Sequence, residues 1–359
     1  MKDFLTPKYI LGAVGMAALI AMEAAHASHG LIFIVACFAL VPLAGIIGQS
    51  TEMLAEHTGP KVGGFLNATL GNAAELIITL VALKAGYLEL VKASITGSAI
   101  GNLLLVLGLA MLLGGLRFGP QKFDVNTAKH YATMLFTVVM LFSIPTVFIH
   151  TAHEPAPEVV NELSLGLAFG MLLVYALGMY YSFTSQTATP LTRKSAEHGH
   201  DIWSVKKSLA VLAGSTLLVV IASEILVGSI EHVLESYPGL SEFFLGFILI
   251  PIVGNIAEHI VAVQVSYKNN DMTLAMEIAT GSSLQILLFV APALVLASLF
   301  MEHRLNLAFN LFEWAALIGT CVIVSRVSSD GETNYFEGGI LFIMYLMIGW
   351  ACYELPAGG

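Results

Sequence analysis

Two acidic residues stand in matching seven-residue segments of this 359-residue chain. Residues 71–77 read GNAAELI and residues 254–260 read GNIAEHI, so both follow the pattern GNxAExI, 183 residues apart. Glu75 and Glu258 each follow an asparagine by three positions, which places a carboxylate and an amide carbonyl on one helix face. Such oxygens suit Ca²⁺, which takes about six to eight of them. A carboxylate removed from water is also easily neutralised by a proton.

Neutral polar residues accompany the two acids. A second match ends in Thr-Gly-Ser at residues 96–98 and 280–282, an offset of 184. Helical spacing puts an amide residue on the face of each serine, four positions after the first and three after the second. The predicted metal-binding residues are Asn72, Glu75, Ser98, Asn102, Asn255, Glu258, Ser282 and Gln285, and the two glutamates are also the predicted proton-binding residues. One pair of acids holds either one divalent cation or about two protons, and this exclusion is the physical basis of exchange.

Each of these residues has a plainer interpretation. The two acids would be structural if they paired with Lys or Arg, but no basic residue lies inside their spans or the following ones, away from the ends. A functional role is therefore favoured for both. The amides and serines would otherwise bond helix to helix. His259 follows Glu258 directly, so it points to another face, and Glu224 and Glu313 have no interpretation from the sequence.

The composition indicates that membrane helices carry these residues. Hydrophobic residues make up 57% of the chain and charged residues 11%, against a usual charged share of about 25%. The formal net charge of −10 argues against nucleic acid as a partner. Cys37, Cys321 and Cys352 lie far apart, which disfavours a disulfide framework or a structural zinc site. We find no nucleophile–base pair or metal triad, so we expect no enzyme and no cofactor, only transported ions.

A span needs about 20 mostly apolar residues to cross the hydrocarbon core. The predicted fold class is an all-α polytopic membrane protein with about eleven transmembrane helices, at 9–25, 31–55, 62–85, 90–115, 128–149, 158–183, 205–233, 241–266, 272–299, 306–326 and 335–354. An odd number of spans per half requires the halves to insert in opposite orientations, an architecture of secondary transporters. The predicted division is an extra N-terminal helix (1–29), a first five-helix repeat (30–183), a linker (184–204) and a second repeat (205–359).

Basic residues predict the orientation in the cell membrane, because cytoplasmic loops carry an excess of them. A cytoplasmic N-terminus puts twelve Lys and Arg residues inside and three outside. The 184–204 linker is then cytoplasmic and the C-terminus is outside. The first span has an alternative interpretation as a signal peptide cleaved near Ala25-His26-Ala27, which would leave the other ten spans unchanged.

The chain resembles the cation/proton exchangers of the cation/Ca²⁺ exchanger superfamily. The resemblance is carried by GNAAELIITLVALKAG (71–86), SITGSAIGNLLLVLG (94–108) and the segment 254–295, which begins GNIAEH. It implies eleven helices, Ca²⁺ export driven by inward proton movement, and sliding of the second and seventh spans to switch access. It also implies that Glu75 and Glu258 bind Ca²⁺ and protons in alternation. The linker departs from the family's acidic helix, since it carries only Glu197 and Asp201 as acids.

Other functions remain open at the level of sequence. The nearest alternative is the same fold exchanging another divalent cation, or coupled to Na⁺ or K⁺ instead of H⁺. A passive channel is a second, although two titratable acids in an inverted repeat favour a transporter. The expected partners are Ca²⁺, protons and the lipid bilayer, and the sequence leaves assembly into a homo-oligomer open.

Overall fold

The described part of the chain comprises residues 6–58, 62–63, 66, 69–152, 155–184 and 203–355 of a computed structural model. It contains eleven helices of defined bounds, one short ribbon, and helical residues at 62–63, 66 and 69–70. The helices are α1 (Pro7–Ala24), α2 (His29–Ala55), α3 (Ala73–Lys84), α4 (Leu88–Phe118), α5 (Val125–Thr151), α6 (Pro157–Thr184), α7 (Val205–Ser236), α8 (Glu242–Asn269), α9 (Met272–Ser298), α10 (Leu311–Val327) and α11 (Tyr335–Glu354). The ribbon pairs β1 (Gln121–Lys122) with β2 (Glu332–Thr333) in antiparallel fashion.

Nine of the helices in the described ranges are long and apolar enough to cross a membrane. The other two are α3, with 12 described residues, and α10, with 17. The most deeply buried of the nine are α4 and α9, which are the helices that carry the two Thr-Gly-Ser segments. The predicted all-α polytopic membrane fold is confirmed. The two Thr-Gly-Ser segments lie on its most buried helices.

The two halves are inverted with respect to each other. Contacts between α4 and α8 advance together along both helices: the Leu90 amide donates to Glu242 at 3.0 Å, and further on Ser266 donates to the Ala110 carbonyl at 2.8 Å. The two helices are therefore parallel. Residues 85–87 join α3 to α4 in a short turn, so α3 runs antiparallel to α4 and thus to α8. This confirms the predicted inverted repeat.

Helices α4 and α8 cross without side chains between their backbones. Gly97 lies directly against the carbonyl group of Phe247, and a Cβ on Gly246 would stand 2.5 Å from the Leu90 carbonyl oxygen. Small residues at such a crossing allow close backbone approach in membrane helices. The crossing fixes α4 next to α8, and so places the residue after Gly97, Ser98, beside the α8 motif.

Three π-helical stretches widen the central helices. They are Gly101–Val106 in α4, Leu245–Leu249 in α8 and Ile286–Val290 in α9. Pro251 and Pro292 each follow a stretch by two residues, and a proline cannot donate the backbone N–H that an α-helical turn needs. The stretch in α4 has no such proline but ends 184 residues before the one in α9, which is the offset of the repeat.

Helix α10 begins later than predicted. The predicted span 306–326 starts too early, because residues 304–310 are not helical and the helix begins at Leu311. Asn310 accepts a hydrogen bond from the Glu313 amide at 2.8 Å, and Glu313 Oε2 accepts one from the Asn310 amide at 3.1 Å. This reciprocal capping box satisfies two backbone donors at the helix start.

The predicted linker 184–204 falls, from 185 to 202, outside the described residues. The predicted span 62–85 is described in part, and its helix α3 begins only at Ala73.

Helix α2 packs on α8 and α7 packs on α3, so each lies over the glutamate-bearing helix of the other half.

Candidate ion-binding site

Glu75 lies in the first turn of α3 rather than in the middle of a continuous helix. Gly71 and Asn72 form a turn immediately before the helix, and Asn72 has φ −93° and ψ 19°. The side chain of Asn72 does not cap α3. Partial positive charge at a helix N-terminus favours an anion, so the backbone supports the carboxylate of Glu75.

The carboxylate of Glu75 is buried and is held by both halves of the protein. Its Oε1 accepts a short hydrogen bond from the Ser98 hydroxyl of α4, and its Oε2 accepts one at 3.0 Å from the Asn255 amide of α8. Asn255 also lies 3.4 Å from the Ser98 oxygen. The side chain of Glu75 is 1% exposed, and both partners are neutral. The carboxylate is therefore held by hydrogen bonds from neutral groups, and bonds to an ion could replace these hydrogen bonds.

Asn72 holds the matching residues of the second half. Its Nδ2 donates to Gln285 Oε1 at 2.8 Å, and its Oδ1 accepts from the Ser282 hydroxyl at 3.1 Å. Asn255 thus reaches from the second half to the first, and Asn72 reaches from the first half to the second. The predicted site is built across the interface of the two repeats.

Glu258 follows Asn255 by three residues on α8 and is half-buried. Because Asn255 donates to Glu75, Glu258 lies one helical turn from a residue that binds the Glu75 carboxylate. The glycine of the second motif brings their helices together: a Cβ on Gly254 would lie 3.4 Å from Glu75 Cβ. A Cβ at this position would be in ordinary van der Waals contact with Glu75, so the two helices lie close together here.

Hydrogen bonds join six of the eight predicted residues in two groups, Glu258 lies one turn from Asn255, and Asn102 contacts a different side chain. Asn102 is buried on α4, and its Oδ1 lies 2.9 Å from Nε2 of His259. The assignment of Asn102 as an ion ligand stays a prediction. His259, next to Glu258 in sequence, has Asn102 as its polar contact.

Sequence reasoning left Glu313 without a role, and the structure supplies contacts for it. Besides capping α10, Glu313 accepts a hydrogen bond from Thr96 of α4 at 2.9 Å. Lys92, one turn before Thr96, donates to the Ala308 carbonyl at 2.9 Å. The capping pattern Asn-x-x-Glu was readable in the sequence, whereas the contact with Thr96 required the fold.

The arrangement has a definite chemical capacity. Two interacting carboxylates in a buried place need positive charge to compensate them, and either one divalent cation or two protons supplies it. The amide and hydroxyl oxygens of the site provide neutral ligands that suit a hard cation. No group of three or more His, Cys, Asp or Glu side chains within the described ranges forms another metal-binding cluster.

Inverted halves that place two acids where they cross define a multi-pass membrane protein with the architecture of a secondary transporter. The chain belongs to the sodium/calcium exchanger protein family, whose model matches residues 28–184 and 207–353, one stretch in each half. This match confirms the resemblance to the cation/Ca²⁺ exchanger superfamily, and the relatives below confirm that to cation/proton exchangers.

Relatives and solved structures agree with this assignment. The Ca(2+)/H(+) antiporter of Aphanothece halophytica is 41% identical over 339 residues, covering 90% of each chain. The Ca(2+)/H(+) antiporter ChaA of Bacillus subtilis is 39% identical over 344 residues, covering 95% of this chain and 97% of its own. The structure of native YfkE superposes with a TM-score of 0.83 at 36% identity, covering 97% of this chain and all of its own. The H+/Ca2+ exchanger CAX shares the fold, with a TM-score of 0.73 at 12% identity and coverage of 98% and 92%.

Proposed function

We propose that this protein exchanges Ca²⁺ for H⁺ across the membrane by alternating access. The observation that carries the proposal is the buried carboxylate of Glu75, held by Asn255 of the other half, with Glu258 one helical turn after Asn255. Two relatives of nearly full coverage are named Ca(2+)/H(+) antiporters, which supports this choice of ions. Each glutamate binds Ca²⁺ when its carboxylate is ionised. It binds a proton when no Ca²⁺ is present in the site.

The neutral residues complete the Ca²⁺ coordination in this proposal. Asn72, Asn255 and Gln285 offer amide carbonyl oxygens, and Ser98 and Ser282 offer hydroxyl oxygens. The hydrogen bonds that now join these groups to Glu75 and to one another are exchanged for bonds to the ion. Access alternates through movement of α2 and α7, which pack on each other and cover the glutamate helices.

Ion flux in vesicles tests the proposal directly. The full-length protein is reconstituted into liposomes that contain a pH-sensitive dye, and Ca²⁺ is added outside. We expect Ca²⁺ uptake into the liposomes to drive protons out of them. We expect an imposed pH gradient to drive Ca²⁺ in the direction opposite to the proton flow. A panel of Mn²⁺, Mg²⁺, Na⁺ and K⁺ separates this function from exchange of another divalent cation or coupling to a monovalent one. Ca²⁺ movement that needs Na⁺ or K⁺ and moves no protons would overturn the proposal.

The apparent affinity for Ca²⁺ is expected to fall as pH is lowered. Ca²⁺ and protons compete for the same two carboxylates, and a protonated carboxyl is a poor metal ligand. Titration of the purified protein with Ca²⁺ at a series of pH values measures the effect. An affinity that does not change with pH would place the transported protons elsewhere.

The proposed orientation has the N-terminus and the 184–204 linker in the cytoplasm. Two exposed loop residues test it, Glu302 between α9 and α10 and Ser329 between α10 and α11. The native cysteines are first replaced by alanine. We expect Glu302→Cys to react with an impermeant thiol reagent in intact cells, and Ser329→Cys to react only after permeabilisation. The reverse pattern would invert the orientation, and equal labelling would mean that α10 does not cross the membrane.

A further inference from the structure

Another buried acid, Glu277, lies on α9, away from the two site glutamates. Glu277 is 8% exposed and stands five residues before Ser282, about 7.5 Å along the helix axis. It lies between the Met272 end of α9 and the ion-binding site. An ionisable residue inside a membrane span is costly to keep there, and such residues mark ion and proton pathways.

A tyrosine hydroxyl lies one helical turn closer to the site. Gly281 follows Glu277 by four residues and so shares its face of α9. A Cβ on Gly281 would lie 3.8 Å from the hydroxyl oxygen of Tyr131, which comes from α5. The charge of Glu277 interacts with the same tyrosine. Glu277 and the Tyr131 hydroxyl therefore follow one another along one face of α9, in the direction of the site.

The two halves differ at this place. At the repeat offset of 184, Glu277 corresponds to Ala93 and Gly281 corresponds to Gly97. In the first half the space beside Gly97 is filled by the backbone of Phe247, whereas in the second half it opens to the Tyr131 hydroxyl. The acid is therefore not a requirement of the repeated fold. It gives one approach to the site a titratable group that the other half lacks at the same position.

Of the groups on α5 near this end, Lys129 is exposed, the His130 ring stacks on Tyr181, and Asp124 accepts a hydrogen bond from the Thr127 amide. Two basic residues on the neighbouring helices are engaged elsewhere. Arg117 at the end of α4 donates to the Tyr267 carbonyl at 3.1 Å, and Lys268 at the end of α8 donates to Gln264 at 3.3 Å. Tyr131 is the titratable group that faces Glu277 from α5.

We propose that Glu277 is a proton-relay site between the Ca²⁺/H⁺ site and the membrane face at the Met272 end of α9, with the Tyr131 hydroxyl as the next donor and acceptor along the route. The carboxylate takes up one proton arriving from the site and releases it to water at that face, so its charge is restored in each cycle. Glu277 does not bind Ca²⁺. The inference rests on the proposed exchange function.

Two flux assays on liposomes containing the full-length protein separate the relay from other roles. The first follows Ca²⁺-driven proton movement, and the second follows exchange of isotopic Ca²⁺ for Ca²⁺ at equal pH, which needs no proton transfer. For Glu277→Gln we expect proton-coupled exchange to fall by about a hundredfold, the lower range for a positioned proton-transfer group. We expect Ca²⁺/Ca²⁺ exchange to stay within about twofold, a change of less than one kcal/mol in barrier.

Two further variants complete the design. Tyr131→Phe removes only the hydroxyl, so we expect the same selective loss in a smaller amount, which keeps the test valid should Glu277→Gln fail to fold. Glu302→Gln changes an exposed glutamate in the loop between α9 and α10 and is expected to leave both assays unchanged. An equal fall of both assays in Glu277→Gln would assign the acid to structure or Ca²⁺ binding, and no fall in either would exclude it from the route. Wild-type protein that exchanges Ca²⁺ for Ca²⁺ but moves no protons would instead refute the proposed function.

Discussion

Replacing Glu75 or Glu258 by glutamine is expected to lower the rate of Ca²⁺/H⁺ exchange by at least about a hundredfold. Glutamine keeps the size of the side chain but removes a negative charge from a buried site. Losing one charged partner in such a place costs about 3 kcal/mol, which corresponds to about a hundredfold in affinity. Glutamine also cannot bind or release a proton. Ca²⁺ therefore loses a charged ligand and the proton loses its binding group.

The experiment measures Ca²⁺ uptake into proteoliposomes driven by a pH gradient, with the elution profile of each variant as a check on folding. Glu302→Gln makes the same chemical change in the exposed loop between α9 and α10 and is expected to retain wild-type rates. If either site variant is well folded and transports at the wild-type rate, the assignment of that glutamate to the site is wrong.

Adding a single methyl group to Gly97 is expected to destabilise the protein by roughly 3 kcal/mol, at the upper end of overpacking costs. The new Cβ of Gly97→Ala would overlap the carbonyl group of Phe247, with the Phe247 Cα only 2.7 Å away. Because the neighbouring atoms are backbone, relief requires α4 and α8 to move apart. Such a movement would also draw Ser98 away from Asn255, so we expect exchange to be lost together with stability.

The midpoint of thermal unfolding in detergent, measured at one fixed heating rate, reports the change. Gly166→Ala is the matched control, since nothing lies within 4 Å of the Cβ it would add to α6. Alanine favours a helix over glycine, so this variant is expected to be neutral or slightly stabilised. Equal midpoints for the two variants would mean that the crossing of α4 and α8 is not as tight as described.

Much of the fold could be predicted because membrane helices and internal repeats leave strong signals in a sequence. Apolar runs of the required length gave the spans, and the separation of residues 71–77 and 254–260 gave the repeat. An odd number of spans per half then required inversion. The predicted motif residues Asn72 and Asn255 do reach across to the other half, because matching positions in an inverted repeat face each other at the interface.

The remaining features depend on geometry that spacing alone does not determine. Asn102 has the correct spacing from Ser98 for a shared helix face, but the π-helical stretch Gly101–Val106 begins between the two residues. The side chain of Asn102 contacts His259 instead. Prolines in α8 and α9 signal the distortion, but α4 has none at the corresponding place. The start of α10 at Leu311 was missed because apolar content indicates only that a span is present. The point at which the helix begins depends on its capping residues.

The matching positions of the π-helical stretches in α4 and α9 bear on how the two halves arose. A π-helical turn holds more residues than an α-helical turn, as if one residue had been inserted into a regular helix. The stretches end at the same place in both halves, although only the one in α9 is followed by a proline. An insertion shared at one position by both copies is most simply explained if it was already present in the ancestral half-length gene before duplication. That ancestor would have assembled as an antiparallel pair of identical chains, with its widened helix already at the centre.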